Sequence, residues 1–151
     1  MIIVGVTFSG NFHCQVIERG GIIDGDRYLD FLKTLNHNFS RHINPLYWNQ
    51  MFLLHDNARP HVKATVHQYL EDKGVTLVKQ PPWSPDFNLL DRFVFKHLEN
   101  SRKHLNFVDE NEIKKFLTNL LRNITSDEWT WQFENWKSDL HKVIENGGDY
   151  L

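Results

Sequence analysis

The chain of 151 residues has a single cysteine, Cys14, which excludes an intrachain disulfide and any cysteine-built zinc or iron–sulfur centre; a reducing compartment fits. It has no apolar run near the roughly eighteen residues needed to cross a bilayer. Its opening, Met1-Ile2-Ile3-Val4, lacks the basic flank and small-residue cleavage site of a secretory signal, so a soluble, non-secreted protein without a membrane partner is expected. Nor is there a surplus of one charge. Seventeen Lys and Arg stand against nineteen Asp and Glu, with twelve against ten in residues 1–105 and five against nine in residues 106–151. Neither part has the strongly basic balance that holds nucleic acid by phosphate neutralisation alone. What is abundant is aromatic: five Trp and eleven Phe contribute to a 13% aromatic content, which excludes a disordered chain. The length suits one domain.

Residues 2–8 and 12–18 are short β-prone runs separated by Ser9-Gly10-Asn11, hairpin spacing with turn chemistry. Val4, Val6 and Phe8 then share one face, as do Phe12, Cys14 and Val16. Asp24 or Asp26 can cap a helix whose apolar positions are Tyr28, Leu32, Leu35 and Phe39, with its stop near Asn38. Residues 40–49 read as a connection. Met51-Phe52-Leu53-Leu54 is a continuous apolar run, the pattern of a strand buried on both faces. Pro60 suits the first turn of a helix bearing Val62, Val66, Tyr69 and Leu70, with Gly74 as its stop. Val75–Val78 is another strand, and Pro81, Pro82 and Pro85 make the next segment a loop. Helices over about 88–104, 109–123 and 127–145 close an α/β arrangement with a mixed sheet.

Two acidic residues stand out by position. Asp56 follows a strand, where open α/β sheets place ligand sites, and Asp91 falls in the first turn of a helix after the proline loop. Hard divalent cations take oxygen ligands, so two convergent Asp suit a metal site for phosphoryl transfer. On periodicity alone the plainer reading is the stronger, with Asp91 complementing a helix dipole and Asp56 capping a turn.

The string His55-Asp56-Asn57-Ala58-Arg59-Pro60-His61, followed by Pro82-Trp83-Ser84-Pro85-Asp86, changes that balance. It resembles the catalytic domain of mariner-type cut-and-paste transposases, and the thirty-four residues between Asp56 and Asp91 match the interval of that group. The resemblance implies a ribonuclease-H-like fold, a mixed sheet flanked by helices, over residues 1–151, with 106–151 as its C-terminal helical part. It implies Asp56 and Asp91 as the second and third acidic ligands, catalytic and metal-binding, of a two-metal Mg²⁺ or Mn²⁺ site. It further implies DNA as partner (transposon ends and target), a homo-oligomeric intact parent and nuclear localisation. The family's first acidic ligand lies on the first, central strand, upstream of the segment that Met1–Val4 resembles. A domain lacking that strand, truncated at its N-terminus and inactive alone, is therefore expected. The alternative is a non-catalytic, transposase-derived module for DNA or protein interaction.

In the resembled architecture the absent strand is expected between the second strand of the hairpin and the run ending at Asp56. The hairpin must then pair directly with Met51–Leu54, borrow a strand, or sit apart. Asp24, Asp26 and Asp30 match the helix start of the family and are poor substitutes for the first ligand. Leu89-Leu90 stands where the family usually has a proline, which leaves the angle of Asp91 less constrained. None of the nine His makes a zinc pattern. His55, Asn57 and His61 are candidates for contacting substrate or orienting the site, Arg59 for phosphate or an ion pair, and Trp83 for base stacking. Trp129, Trp131, Phe133 and Trp136 read as core, and Lys96, Arg102 and Lys103 as a solvated basic face.

Overall fold

The computed structural model describes residues 1–40, 50–103 and 105–149. Strands β1 (Ile2–Val6) and β2 (Phe12–Val16) form an antiparallel hairpin with Val4 opposite Cys14. Its turn needs Gly10, whose φ is +83° and where a Cβ would lie 2.5 Å from the ring of Trp129. Helix α1 (Gly25–Ser40) follows, its first turn capped by Asp24, which accepts from the Arg27 N–H at 2.9 Å. It runs two residues past the expected stop; the connection expected next lies, from residue 41 to 49, outside the described residues.

Strand β3 (Phe52–His55), helix α2 (Ala64–Asp72) and strand β4 (Thr76–Lys79) make a parallel β-α-β unit with Leu53 beside Leu77. Pro60 does not open α2. It lies in a preceding turn closed by the Ala58 carbonyl, which accepts from His61 and Val62, so Val62 is exposed and α2 starts at Ala64. A 3₁₀ turn (Pro85–Phe87), a π-helical turn (Leu90–Val94), and helices α3 (Phe95–Arg102), α4 (Glu110–Arg122) and α5 (Ser126–Glu145) complete the order. Asp109 and Thr125 cap α4 and α5 by accepting from the N–H groups of Glu112 and Glu128.

The hairpin divides the core in two. Ile3 and Ile17 pack with Tyr28, Phe31, Leu32 and Leu35 of α1 and with Val66 and Leu70 of α2. On the other face Val4 and Cys14 meet Phe93, Leu117, Leu121 and Trp129. The strand period of two produces this split, because adjacent residues such as Ile3 and Val4 point to opposite faces. Each of these large side chains contributes about 1.5–3 kcal/mol by leaving water.

Among the described residues the four strands form two separate two-stranded sheets, one antiparallel and one parallel. Among the described residues the hairpin and β3 do not pair, so direct pairing, the first of the three arrangements open to the sequence, is not what the chain adopts. Hydrogen bonds from Thr7 N to Asn11 O (2.8 Å) and from Ile17 N to Met1 O (2.7 Å) set the phase of the hairpin ladder. Ile2, Val4 and Val6 therefore turn their backbone N–H and C=O away from β2. By the same reasoning the bond from Thr76 N to Met51 O (2.9 Å) leaves the backbone groups of Phe52 and Leu54 turned away from β4.

Both free edges border one cavity of about 1480 Å³, lined by β1, β3 and apolar side chains of α1 and α5. Two expectations are corrected here. The open edge of the hairpin is its first strand, since residues 2–9 line the cavity and none of Phe12–Val16 does. And β3 is not buried on both faces: Phe52 is 73% exposed and Leu53 and Leu54 are half-buried, since no described element covers the face that Phe52 presents.

Candidate active site

Asp56 leaves the end of β3 and is held by its own turn. Its Oδ1 accepts from the Ala58 N–H at 3.0 Å and lies 2.6 Å from Nδ1 of His61. The His61 ring stacks on His55 (4.9 Å between centroids, 8° between planes) and tilts against Tyr28 at 4.1 Å. His55 is buried, with Nδ1 2.9 Å from the Tyr28 hydroxyl. Burial, then the neighbouring His61, pushes the His55 pKa down to about 4, with Asp56 acting in the opposite sense. Burial, and after it the Asp56 charge, raises that of Tyr28. Tyr28 thus keeps its proton and His55 stays neutral, and the arrangement that satisfies both has the hydroxyl donating to Nδ1. The result is a chain of contacts from the α1 core to the Asp56 carboxylate.

Asp91 arrives from the other side of the proline loop. The buried Asn88 accepts from Leu90 N–H through Oδ1 at 3.0 Å, and its main-chain oxygen accepts from Arg92 N–H at 3.0 Å. These bonds start the π-helical turn that carries Asp91, so Asn88 sets its angle although no proline precedes it. The Gln80 carbonyl accepts from Asn57 Nδ2 at 2.9 Å, and Gln80 Nε2 donates to the Ser84 carbonyl at 2.8 Å, tying the two acid-bearing loops together. All four buried polar side chains among the described residues, His55, Gln80, Ser84 and Asn88, belong to this region. Trp136 Nε1 donates to the Phe87 carbonyl at 3.2 Å, and Arg92 pairs with Asp139, so α5 braces the same loop.

Asp56 and Asp91 line the same cavity. Desolvation, and after it the negative charge of Asp56, raises the Asp91 pKa, and no hydrogen bond or ion pair to Asp91 offsets this among the described residues. Two carboxylates left in mutual repulsion are a donor set that a hard divalent cation relieves. Among the described residues no group of three or more His, Cys, Asp or Glu is disposed for a metal. Asp56 and Asp91 are oxygen donors of the kind that could hold a divalent ion completed by water or phosphate oxygens. Asp24 caps α1, Asp26 pairs with Lys63 at 2.7 Å, and Asp30 with Lys33 at 3.4 Å, so each is engaged away from Asp56.

The remaining candidates separate. His55 and Asn57 are structural ties, whereas His61 touches Asp56 itself. Arg59 is exposed and makes no ion pair among the described residues, which leaves it free for an anion. Trp83 is 99% exposed with φ +58°, a conformation that only the surrounding loop imposes. Of the aromatic set, Trp129 is core, Phe133 and Trp136 are half-buried, and Trp131 is 63% exposed. Sequence reasoning missed Tyr28, Gln80 and Asn88: helical periodicity assigned Tyr28 to the core, and the proline loop masked the polar residues that flank it.

The family model for DDE superfamily endonucleases matches residues 2–114, and the chain belongs to that family. Its fold is that of a mariner transposase catalytic domain. It superposes with a TM-score of 0.89 and 22% identity on the Mos1 transposase catalytic domain solved with raltegravir and Mg, covering 99% of this chain and 76% of that one. A pre-cleavage Mos1 transpososome matches with a TM-score of 0.89 and 21% identity, covering 99% and 44%. The human histone-lysine N-methyltransferase SETMAR is 25% identical over 152 residues. The chain spans 22% of the length of that curated relative.

Proposed function

We propose that this chain is the portion of a cut-and-paste transposase catalytic domain that carries two of its acidic metal ligands, Asp56 and Asp91, and that it does not cleave DNA by itself. The observation that carries the reading is that these two carboxylates line one cavity, from the ends of β3 and the proline loop, and that the charge of Asp56 acts on Asp91. A bound Mg²⁺ or Mn²⁺ would supply charge neutralisation at a phosphodiester and a lowered pKa for water. The residues of this chain do the rest. Asp56 and Asp91 would hold the ion, His61 would orient Asp56, and Arg59 and Trp83 would meet backbone phosphate and a base of DNA. The solved Mos1 relatives include a complex with the left transposon end and catalytic domains with Mg and with Mn, which supports DNA and a divalent metal as partners; a homo-oligomeric parent and a nuclear location are proposed along with them.

With two carboxylates the site lacks the charge to hold a pair of divalent ions through in-line attack. Purified protein incubated with plasmid DNA and Mg²⁺ or Mn²⁺ is expected to leave it intact. Metal-dependent nicking that disappears in Asp91→Ala would overturn the claim of inactivity while supporting the site.

A further inference from the structure

Asp56 and Asp91 lie on different segments, and holding one segment in place against the other takes specific bonds. Prolines limit where those bonds can come from. Pro81, Pro82 and Pro85 have no N–H, so between residues 81 and 85 only Trp83 and Ser84 keep a main-chain donor. A side chain takes over. Gln80, 7% exposed, donates through Nε2 to the Ser84 carbonyl at 2.8 Å, and its own carbonyl accepts from Asn57 Nδ2 at 2.9 Å. The Ser84 carbonyl also accepts from the Phe87 N–H at 3.1 Å, and the Pro85 carbonyl from the Asn88 N–H at 2.9 Å, which leads into the turn that carries Asp91. From the Asp56 loop to the Asp91 turn the bonds thus run in series through one residue, Gln80.

Gln80 is poorly suited to stability alone. With Nε2 set on a carbonyl the amide cannot be turned over, and Oε1 is left buried with no hydrogen-bond partner among the described residues. A buried acceptor without a donor weakens a fold, and an apolar side chain of the same length would avoid it. We infer that Gln80 is a positioning residue of the metal site, whose amide holds the Asp91 turn in place relative to Asp56 and contributes little to the stability of the fold. This rests on Asp56 and Asp91 sharing a divalent ion, and adds that their separation is set by a third residue, which makes no hydrogen bond to either of them among the described residues.

The test is Mn²⁺ binding to the full chain, read as free Mn²⁺ by electron paramagnetic resonance, alongside thermal melting without metal. Gln80→Met keeps the length of the side chain and removes its amide, and the Ser84 carbonyl still has the Phe87 N–H. Mn²⁺ should bind roughly tenfold more weakly or worse. The melting temperature should stay within about 2 °C of wild type or rise, because the orphaned oxygen leaves together with the lost bond. Asn57→Ala, at the exposed end of the tie, should weaken binding to a similar extent, again without a fall in melting temperature. Since the two bonds act in series, the double variant should bind no worse than the weaker single one, whereas independent contributions would multiply. Unchanged affinity in either single variant, a loss that tracks a fall in melting temperature, or multiplied losses in the double variant would each overturn the inference and leave the Asp56–Asp91 site standing. Wild-type protein that binds no Mn²⁺, or binds it no better than Asp91→Asn, would overturn both. If Gln80→Met does not fold, Asn57→Ala decides alone: weaker binding at an unchanged melting temperature supports the tie, and any other result overturns it.

Discussion

Strands β1 and β2 are covered on both faces, by α1 through Ile3 and Ile17 and by α4 and α5 through Val4 and Cys14. Strands β3 and β4 rest on helices through Leu53 and Leu77 and through the contact of His55 with Tyr28, and leave Phe52 73% and Val78 39% exposed. Of the candidate metal ligands, Asp56 follows the thinly packed β3, whereas Asp91 sits in the π-helical turn whose Phe93 and Val94 pack against the hairpin. The contrast shows how the fold divides its work: the hairpin and its helices supply stability and hold the turn that carries Asp91, and the β3–β4 unit presents Asp56 at the end of a strand that pairs along one edge among the described residues. A site whose acids repel one another is tolerated there because the buried clusters elsewhere hold the chain together.

The largest expected effect concerns that division. Trp129, buried and packed edge-on against Phe93 at 5.4 Å, should lose about 3–5 kcal/mol as Trp129→Ala, whereas Phe52→Ala should cost less than about 0.5 kcal/mol. Comparable losses in urea denaturation would erase the distinction between the two regions. Next in size is a pH effect on the β3 side. His55 titrates near 4 when folded and near 6.5 when unfolded, so between those values the unfolded chain binds more protons. Stability should therefore be present in full above about pH 6.5 and fall by on the order of 2 kcal/mol as pH drops towards 4, with the slope reduced in His55→Gln. A melting temperature flat across that window would contradict the buried, neutral His55.

Smaller still, Tyr28→Phe should cost about 1–2 kcal/mol by leaving buried His55 Nδ1 without its donor, measured against wild type at pH 7. Asp91→Asn should act with the opposite sign. The folded-state pKa of Asp91 is raised, so its ionisation weakens the fold as pH climbs above the ordinary carboxylate value, and removing the charge should stabilise the metal-free protein by roughly 0.5 kcal/mol. A destabilised Asp91→Asn would mean that Asp91 has a favourable role in the fold itself.

How much of this was legible in the sequence follows the same boundary. The hairpin, α1 and the last two helices were readable because their apolar periods match their packing: Tyr28, Leu32, Leu35 and Phe39 are all buried. The string from His55 to His61 and the spacing to Asp91 pointed to the family and the acidic pair. What was not readable depended on neighbours. The run Met51–Leu54 has the composition of a central strand, but among the described residues it pairs along one edge and Phe52 stands in the open. Pro60 carried a helix-start signal, but the Asp56 turn takes up the residues up to Val62. The roles of Tyr28 and Asn88 arise from contacts across 27 residues and from a π-helical turn, neither of which leaves a period in the sequence.

The central claim, that Asp56 and Asp91 share one divalent cation, is most directly tested by titrating isotope-labelled protein with Mn²⁺ and following paramagnetic broadening. The account predicts that the resonances of Asp56 and Asp91 broaden together at a single stoichiometric site, consistent with carboxyl groups on the order of 4–8 Å apart, and that Asp56→Asn and Asp91→Asn each abolish the effect. Broadening at only one of the two residues, or broadening of both that survives in either variant, would contradict it.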